Sequence, residues 1–383
     1  MSRLVLLAIC LCVVGLTGCL AMPTWAPFYT SEDAIKESYL IVLEDNANSI
    51  QVSQAIQSLA NRQGLRFAVK RRFSALFNGL HVSMNELVVD IVRSHASVKY
   101  IEADGPVYAD EATWGLDRID QRSLPLDDVF DSSGDGAGSH VYILDTGIRV
   151  THEEFEGRAT FVYDAMESEP GQGTDCRGHG THCAGTASGA QYGVAKKSNV
   201  YAVRVLGCNG SGSKTTVITG MEWVANNGIR PAVASMSLGG SGSRIQDDAV
   251  KALYDSGVSV VVSAGNDDFD ACFKSPARAP HAITVGASED DDERAYFSNY
   301  GGCVDIFAPG RYITSSCYES DDDYCDKSGT SMAAPHVAGV VALLLGADPS
   351  LTPADVTSII INTATRDKVI DAKNSPNLLL YTY

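Results

Sequence analysis

The sequence predicts a three-layer α/β fold built on a mostly parallel sheet and preceded by a small α+β domain. Three observations predict it. At 383 residues the chain exceeds one average domain, so a small and a large folded part are expected. From Trp114 onward, continuous apolar runs alternate with amphipathic stretches, the pattern of strands buried on both faces beneath helices. Hydrophobic residues make up 45% and charged residues only 20%, which supports a packed core and argues against disorder.

The elements follow in chain order. Residues 1–21 carry Arg3, an apolar run over 4–16 and then small residues, the pattern of a signal peptide cut after Ala21. The run is shorter than the ~20 apolar residues a spanning helix needs, and no later segment is a candidate span. Leu16-Thr17-Gly18-Cys19 also resembles a lipoprotein signal, so anchoring through a lipidated Cys19 stands as the alternative to free secretion. Over 38–104 the pattern reads strand, helix, two strands, helix, strand: SYLIVLED, an amphipathic 52–63, FAVKRRF, GLHVSM, 86–94 and VKYIEAD. This stretch holds no cysteine and reads as a detachable helper domain or a permanent N-terminal module. Beyond it, 141–144, 200–206, 233–238, 258–263 and 282–288 predict buried strands, and 214–226, 244–256, 331–345 and 353–365 predict helices. In such folds working residues gather at the carboxyl ends of strands.

Charge and cysteines narrow the function. A net charge of −18 excludes nucleic acid and anionic membranes as partners, because both require basic patches. The acidic runs 289–293 and 321–323 read as a solvated face or as calcium ligands. Past the leader seven cysteines remain: Cys176, Cys183, Cys208, Cys272, Cys303, Cys317 and Cys325. Export favours disulfides and an odd number leaves one thiol free; spacing alone does not choose the pairs.

Three motifs carry chemistry in combination. Asp145 ends the VYIL run and precedes Thr146-Gly147, which places a carboxylate at a strand's carboxyl edge. His179 and His182 lie in RGHGTHCAGT, where small residues let a helix start close to other backbone. Their spacing also suits metal ligation, but no HExxH accompanies it, and an imidazole that takes a proton near neutrality is the stronger reading for His179, with His182 a hydrogen-bonded neighbour. Ser331 lies in SGTSMAAPHVAG at a helix start, where unpaired N–H groups favour a developing oxyanion. Taken singly, each has a structural explanation: a turn acid, a ligand or packed histidine, an N-cap serine. Together they supply nucleophile, base and orienting carboxylate, and Asn266 in SAGN supplies a side-chain amide for the oxyanion.

With these motifs in order (DTG, GHGTHCAGT, SLGG, AGN, SGTSMAAPHVAG), the chain resembles the subtilisin-like serine proteases, in their proteinase K and aqualysin branch, from about residue 38 to the C-terminus. The order Asp, His, Ser is the one by which subtilisins are known. The resemblance implies a subtilisin-like catalytic domain over 112–383 and an inhibitor-type propeptide over 38–108. That propeptide acts as an intramolecular inhibitor, removed by self-cleavage near 105–111. The implied product is a secreted, monomeric endopeptidase acting on proteins and peptides, with no cofactor for catalysis. A regulatory binder that retains its propeptide is the alternative from another class, and the intact triad argues against it.

The resemblance assigns further residues. Gly210-Ser211-Gly212 and Ser237-Leu238-Gly239 match the edges that clamp an extended substrate, while Ser263, Ala264 and Gly265 line a primary pocket for apolar or aromatic side chains. Lys214 and Lys274 stand where relatives carry tyrosines, which implies tolerance of acidic residues at the fourth and first subsites. Asn209-Gly210-Ser211 spells a glycosylation acceptor, expected to be unused because it sits on the substrate edge. Cys176 with Cys208 and Cys272 with Cys303 match disulfides of the aqualysin group, leaving Cys317 with Cys325. Cys183 matches a free buried thiol whose reaction with mercurials would displace His179. Structural Ca2+ is implied at Pro280, Ala282 and Asp305, and at Asp117, Asp120, Gln121, Asp127 and Val129.

Overall fold

The computed structural model describes residues 25–30, 34–74, 77–104, 112–166 and 174–382. The expected leader with Cys19 and the expected cleavage stretch 105–111 lie outside the described residues. The chain divides into two compact units, Met1–Ala109 and Asp110–Tyr383.

In the N-terminal unit, five strands pair in the order Phe28–Tyr29, Val98–Ala103, Ser38–Leu43, Gly79–Met84, Phe67–Phe73. Ser38–Leu43 buries every second residue, as a strand with one covered face must. The helix Ser49–Arg62 covers that face with Val52, Ile56 and Ala60. It starts at Asn48, whose side chain accepts from the N–H groups of Ile50 and Gln51.

The C-terminal unit is built on a nine-stranded sheet. Its order is Thr365–Arg366, Leu378–Leu379, Ile306–Pro309, Ile283–Ser288, Val258–Ser263, Ala232–Met236, His140–Asp145, Asn199–Arg204, Ala159–Asp164. Every pairing is parallel except that between Thr365–Arg366 and Leu378–Leu379. Alternation along the strands builds two cores. Val141, Ile143, Val261 and Val285 face the helices His179–Ser188, Thr330–Ala347 and Pro353–Thr363. Tyr142, Leu144, Val260 and Val262 face Lys214–Asn227 and Arg244–Asp255. The three predicted layers follow from this alternation.

Four strands that the apolar pattern did not announce, Ala159–Asp164, Ile306–Pro309, Thr365–Arg366 and Leu378–Leu379, extend the sheet. The first lies at the sheet edge with Phe161 exposed, so it lacks a continuous apolar run; the second is only four residues long. The helix Thr330–Ala347 is apolar enough to cross a membrane by composition, but 78% of it is buried inside the protein, as the core helix of this sheet. Disulfides join Cys176 to Cys208, Cys272 to Cys303 and Cys317 to Cys325, closing separations of 32, 31 and 8 residues; Cys183 is free and buried.

The connections turn at His140–Asp145. The chain passes from it to Asn199–Arg204 on one side and later returns to Ala232–Met236 on the other. A crevice opens at the carboxyl end of such a switch strand, and Asp145 is its last residue.

Candidate active site

Asp145 is wholly buried. Its Oδ1 accepts from the Thr146 N–H at 2.7 Å and from His179 Nδ1–H at 2.7 Å. Burial alone would depress the His179 pKa, but the Asp145 charge and hydrogen bond outweigh it and hold the pKa above its ordinary value. The pair fixes the tautomer, leaving Nε2 as the basic nitrogen.

Backbone contact sets this approach. Gly180, second residue of the helix His179–Ser188, lies against the carbonyl of Gly147, and a Cβ there would stand 2.2 Å from that oxygen. Gly178 caps the helix at φ +81, where its Cα packs on the ring of Tyr318. The glycines of the DTG and GHG motifs thus let two backbones touch.

A residue the sequence reading did not single out, Asp175, ties the turn down. Its Oδ1 accepts from Thr146 Oγ1 (2.8 Å), Arg177 N (2.9 Å) and Gly178 N (2.7 Å). Its Oδ2 accepts from Thr181 N (2.9 Å) and Thr181 Oγ1 (2.6 Å). An acid just ahead of a helix-starting glycine is a capping signal, and it could have been read from DCRGHG. His182 points elsewhere. Its Nε2–H donates to the carbonyls of Ile313 (2.9 Å) and Cys325 (3.1 Å), and burial pushes its pKa down to about 3. It is a neutral structural group, and the alternative of a shared His179–His182 metal site falls.

Ser331 is the second residue of the helix Thr330–Ala347. Its hydroxyl donates to the Ser237 carbonyl at 3.3 Å. Asn266 Oδ1 accepts from Thr330 N (2.8 Å) and Thr330 Oγ1 (3.0 Å), which turns the Nδ2 donor away from Thr330. A Cβ built on Gly329 would sit 3.5 Å from Asn266 Nδ2 and 3.6 Å from Ser331 N. Asn266 Nδ2 and Ser331 N thus both flank the space beside Gly329. Asn299, fully buried and missed in the sequence, holds this loop: its Nδ2 donates to Ala264 O (2.8 Å) and its Oδ1 accepts from Asp267 N and Phe269 N (3.0 Å each).

Pro335 lies inside the serine helix and has no N–H to offer the carbonyl four residues back, that of Ser331. That carbonyl is met instead by Ser237 Oγ (2.9 Å) and Cys183 Sγ (3.3 Å). Cys183 is on the histidine helix, within 4.8 Å of the facing Asp145 and His179 atoms. Its thiol, raised by burial, is protonated and acts as a donor.

Two cavities share the segment Ser237-Leu238-Gly239-Gly240 as a common wall. One, about 280 Å³, holds Ser263, Ala264, Gly265, Asn266 and Ser331. The other, about 470 Å³, holds His179, Gly210, Ser211, Gly212 and Lys214. Lys274 lines the first cavity, but its Nζ is paired with Asp267 Oδ2 at 2.7 Å, so the acidic preference expected there from this lysine is offset by its partner.

The residues named for calcium gather in two places. Asp120, Gln121, Asp127 and Val129 line a hollow of about 560 Å³, next to the buried Asp117. Asp120 Oδ1 is buried without a partner, and burial, reinforced by the charges of Asp117 and Asp127, raises its pKa to about 6. Pro280 and Ala282 precede the strand Ile283–Ser288, where Thr284 N donates to Asp305 Oδ2 (2.8 Å). Burial also raises Asp305 to about 6.

The geometry has close counterparts. A family model described as the subtilase family, Peptidase S8, matches residues 136–379. An extracellular serine proteinase of Thermus sp. is 47% identical over 371 residues, covering 91% of this chain and 90% of the relative. An alkaline serine exoprotease A of Vibrio alginolyticus is 42% identical, covering 91% and 68% respectively. A crystal structure of a cold-adapted subtilisin-like serine proteinase superposes with a TM-score of 0.69 at 50% identity, covering 71% of this chain and 99% of that one.

Proposed function

This chain belongs to the subtilase family as a serine-type, subtilisin-like peptidase, and from that premise we propose that it is an exported endopeptidase in which Ser331, His179 and Asp145 form the triad. The buried 2.7 Å bond between Asp145 and His179, at the switch strand of the sheet, carries the reading. His179 Nε2 takes the Ser331 Oγ proton as Oγ adds to the scissile carbonyl. Asp145 stabilises the imidazolium that results. Asn266 Nδ2 and Ser331 N donate to the oxyanion. His179 then protonates the leaving amine, and water hydrolyses the acyl-serine by the same relay.

An extended substrate lies between Gly210-Ser211-Gly212 and Ser237-Leu238-Gly239, bound mainly through backbone, which gives broad specificity. Ser263, Ala264 and Gly265 bound the first-residue pocket, and their small size suits an apolar or aromatic side chain. Residues 1–21 direct export, in keeping with relatives named extracellular serine proteinase and exoprotease. Residues 38–108 form the propeptide, which the catalytic domain over 112–383 removes autocatalytically.

The orphaned Asp120 Oδ1 in an acidic hollow supports calcium at the first of the two carboxylate sites. Asp120, with its orphaned oxygen, and Asp117, Gln121, Asp127 and Val129 would hold one ion; Asp305 with the Pro280 and Ala282 carbonyls would hold another. The ion supplies charge neutralisation of buried carboxylates and takes no part in catalysis. Chelation should lower Tm more at pH 8 than at pH 5, because carboxylates with raised pKa values cost stability only where they are ionised.

The test of the reaction is covalent labelling by a serine-directed phosphonate. The expected result is one label on Ser331, lost in Ser331→Ala together with peptide hydrolysis and self-cleavage. Hydrolysis that persists in Ser331→Ala would overturn the assignment.

A further inference from the structure

We infer that Arg177 and Lys214 make this peptidase selective for acidic side chains at the second and fourth residues before the cut; the inference rests on the substrate path proposed above. Successive side chains of an extended strand point to opposite faces, so a substrate laid along 237–240 sends its first residue into one cavity and its second and fourth into the other. The two cavities differ in charge. In the one holding Ser331, Lys274 is neutralised by Asp267. Among the described residues, the one holding His179 is lined by Arg177 and Lys214 and by no carboxylate, in a protein whose net charge is −18.

Both cations are available. Among the described residues neither forms an ion pair, and both side chains are exposed. The Arg177 stem is fixed, because its own N–H and that of Gly178 are held by Asp175. Its guanidinium lies along the substrate edge, with Nε 3.6 Å from the position of a Cβ on Gly210. Arg177 is two residues from His179 and belongs to the position nearer the cut. Lys214 opens the helix Lys214–Asn227, capped by Ser213, and belongs to the farther one. A glutamate at either position completes an ion pair that the free enzyme leaves open.

The test compares tetrapeptide substrates ending in Phe, with Glu or the isosteric Gln at the second, the fourth or both positions. The readout is the ratio of kcat/KM for Glu over Gln in the matured enzyme. An advantage of about threefold per position is expected for partly exposed pairs, and it should shrink between 20 mM and 500 mM salt, taken as order-of-magnitude conditions. Arg177→Gln should erase the advantage at the second position alone and Lys214→Gln at the fourth alone, while Arg177→Lys and Lys214→Arg keep part of it. Ratios at or below one in the wild-type enzyme, or ratios that neither salt nor these substitutions move, would overturn the inference. Failure to hydrolyse any of the peptides would instead overturn the proposed endopeptidase.

Discussion

The two helix starts that present the proposed base and nucleophile are held by different balances of charge and packing. The histidine helix is held by polar groups: Asp175 gathers five donors around its first turn, and Thr146 Oγ1 accepts from Gly180 N at 3.0 Å. The serine helix adds dense packing to its polar anchors, Thr330 on Asn266 and the Ser331 carbonyl on Ser237 and Cys183. Met332, Ala333, Ala334, Val337, Ala338 and Val341 are buried, and Gly339 lies so close to Val194 that a Cβ there would stand 2.5 Å from it. The difference follows from what each group must do. A base needs a set tautomer and pKa, which fixed charges supply; a nucleophile needs a set position, which close packing supplies.

The largest effect that sharpens this contrast is Asp145→Asn. It should lower kcat by about 10⁴, the scale expected when the triad carboxylate becomes an amide. The pH profile tells why. Activity needs neutral His179, so in the native enzyme kcat/KM should fall as pH drops through a value above the ordinary histidine 6.5. Without the Asp145 charge the same limb moves to lower pH.

Acid should next loosen both helices. His182, near 3, and His336, lowered by burial to about 4, are neutral in the fold but take protons in the unfolded chain at about 6.5. Their contribution to stability is fully present above that value and is lost as pH falls toward 3 to 4, on the order of several kcal/mol in total. Denaturant midpoints measured from pH 7 to pH 4 check this; a flat profile would remove the role given to the buried histidines.

Asp175→Ala should cost about 2–4 kcal/mol, because it leaves buried donors unpaired. It should also move the acid limb of activity downward, since the Asp175 charge helps to raise His179. Gly339→Val on the serine helix, costing about 1–3 kcal/mol by overpacking, should lower Tm and leave that limb in place. A shift of the limb in Gly339→Val would break the contrast between charge and packing. The smallest effect is expected from Pro335→Ala. A restored N–H would compete for the Ser331 carbonyl with Ser237 and Cys183, within about 1 kcal/mol either way, read as a change in Tm.

Much of this was legible in the chain. The runs at 141–144 and 258–263 predicted the strands His140–Asp145 and Val258–Ser263, because apolar continuity is what a strand covered on both faces requires. The motifs placed Asp145, His179, Asn266 and Ser331 at strand ends and helix starts. The short strand Ile306–Pro309 was not legible, nor was the anchoring by Asn299, whose partners Ala264, Asp267 and Phe269 are some thirty positions away.

By itself the sequence determined the layered architecture, the family and the identity of the groups that meet around Ser331. Tertiary structure alone decided which cations are paired: Lys274 is answered by Asp267, while Arg177 and Lys214 line one groove in which, among the described residues, no carboxylate meets them. Periodicity and motif report which side of an element is covered and what chemistry a residue offers. The partner that neutralises a charge, or leaves it open, is set by distances between segments remote in the chain, and electrostatic energy depends on those distances.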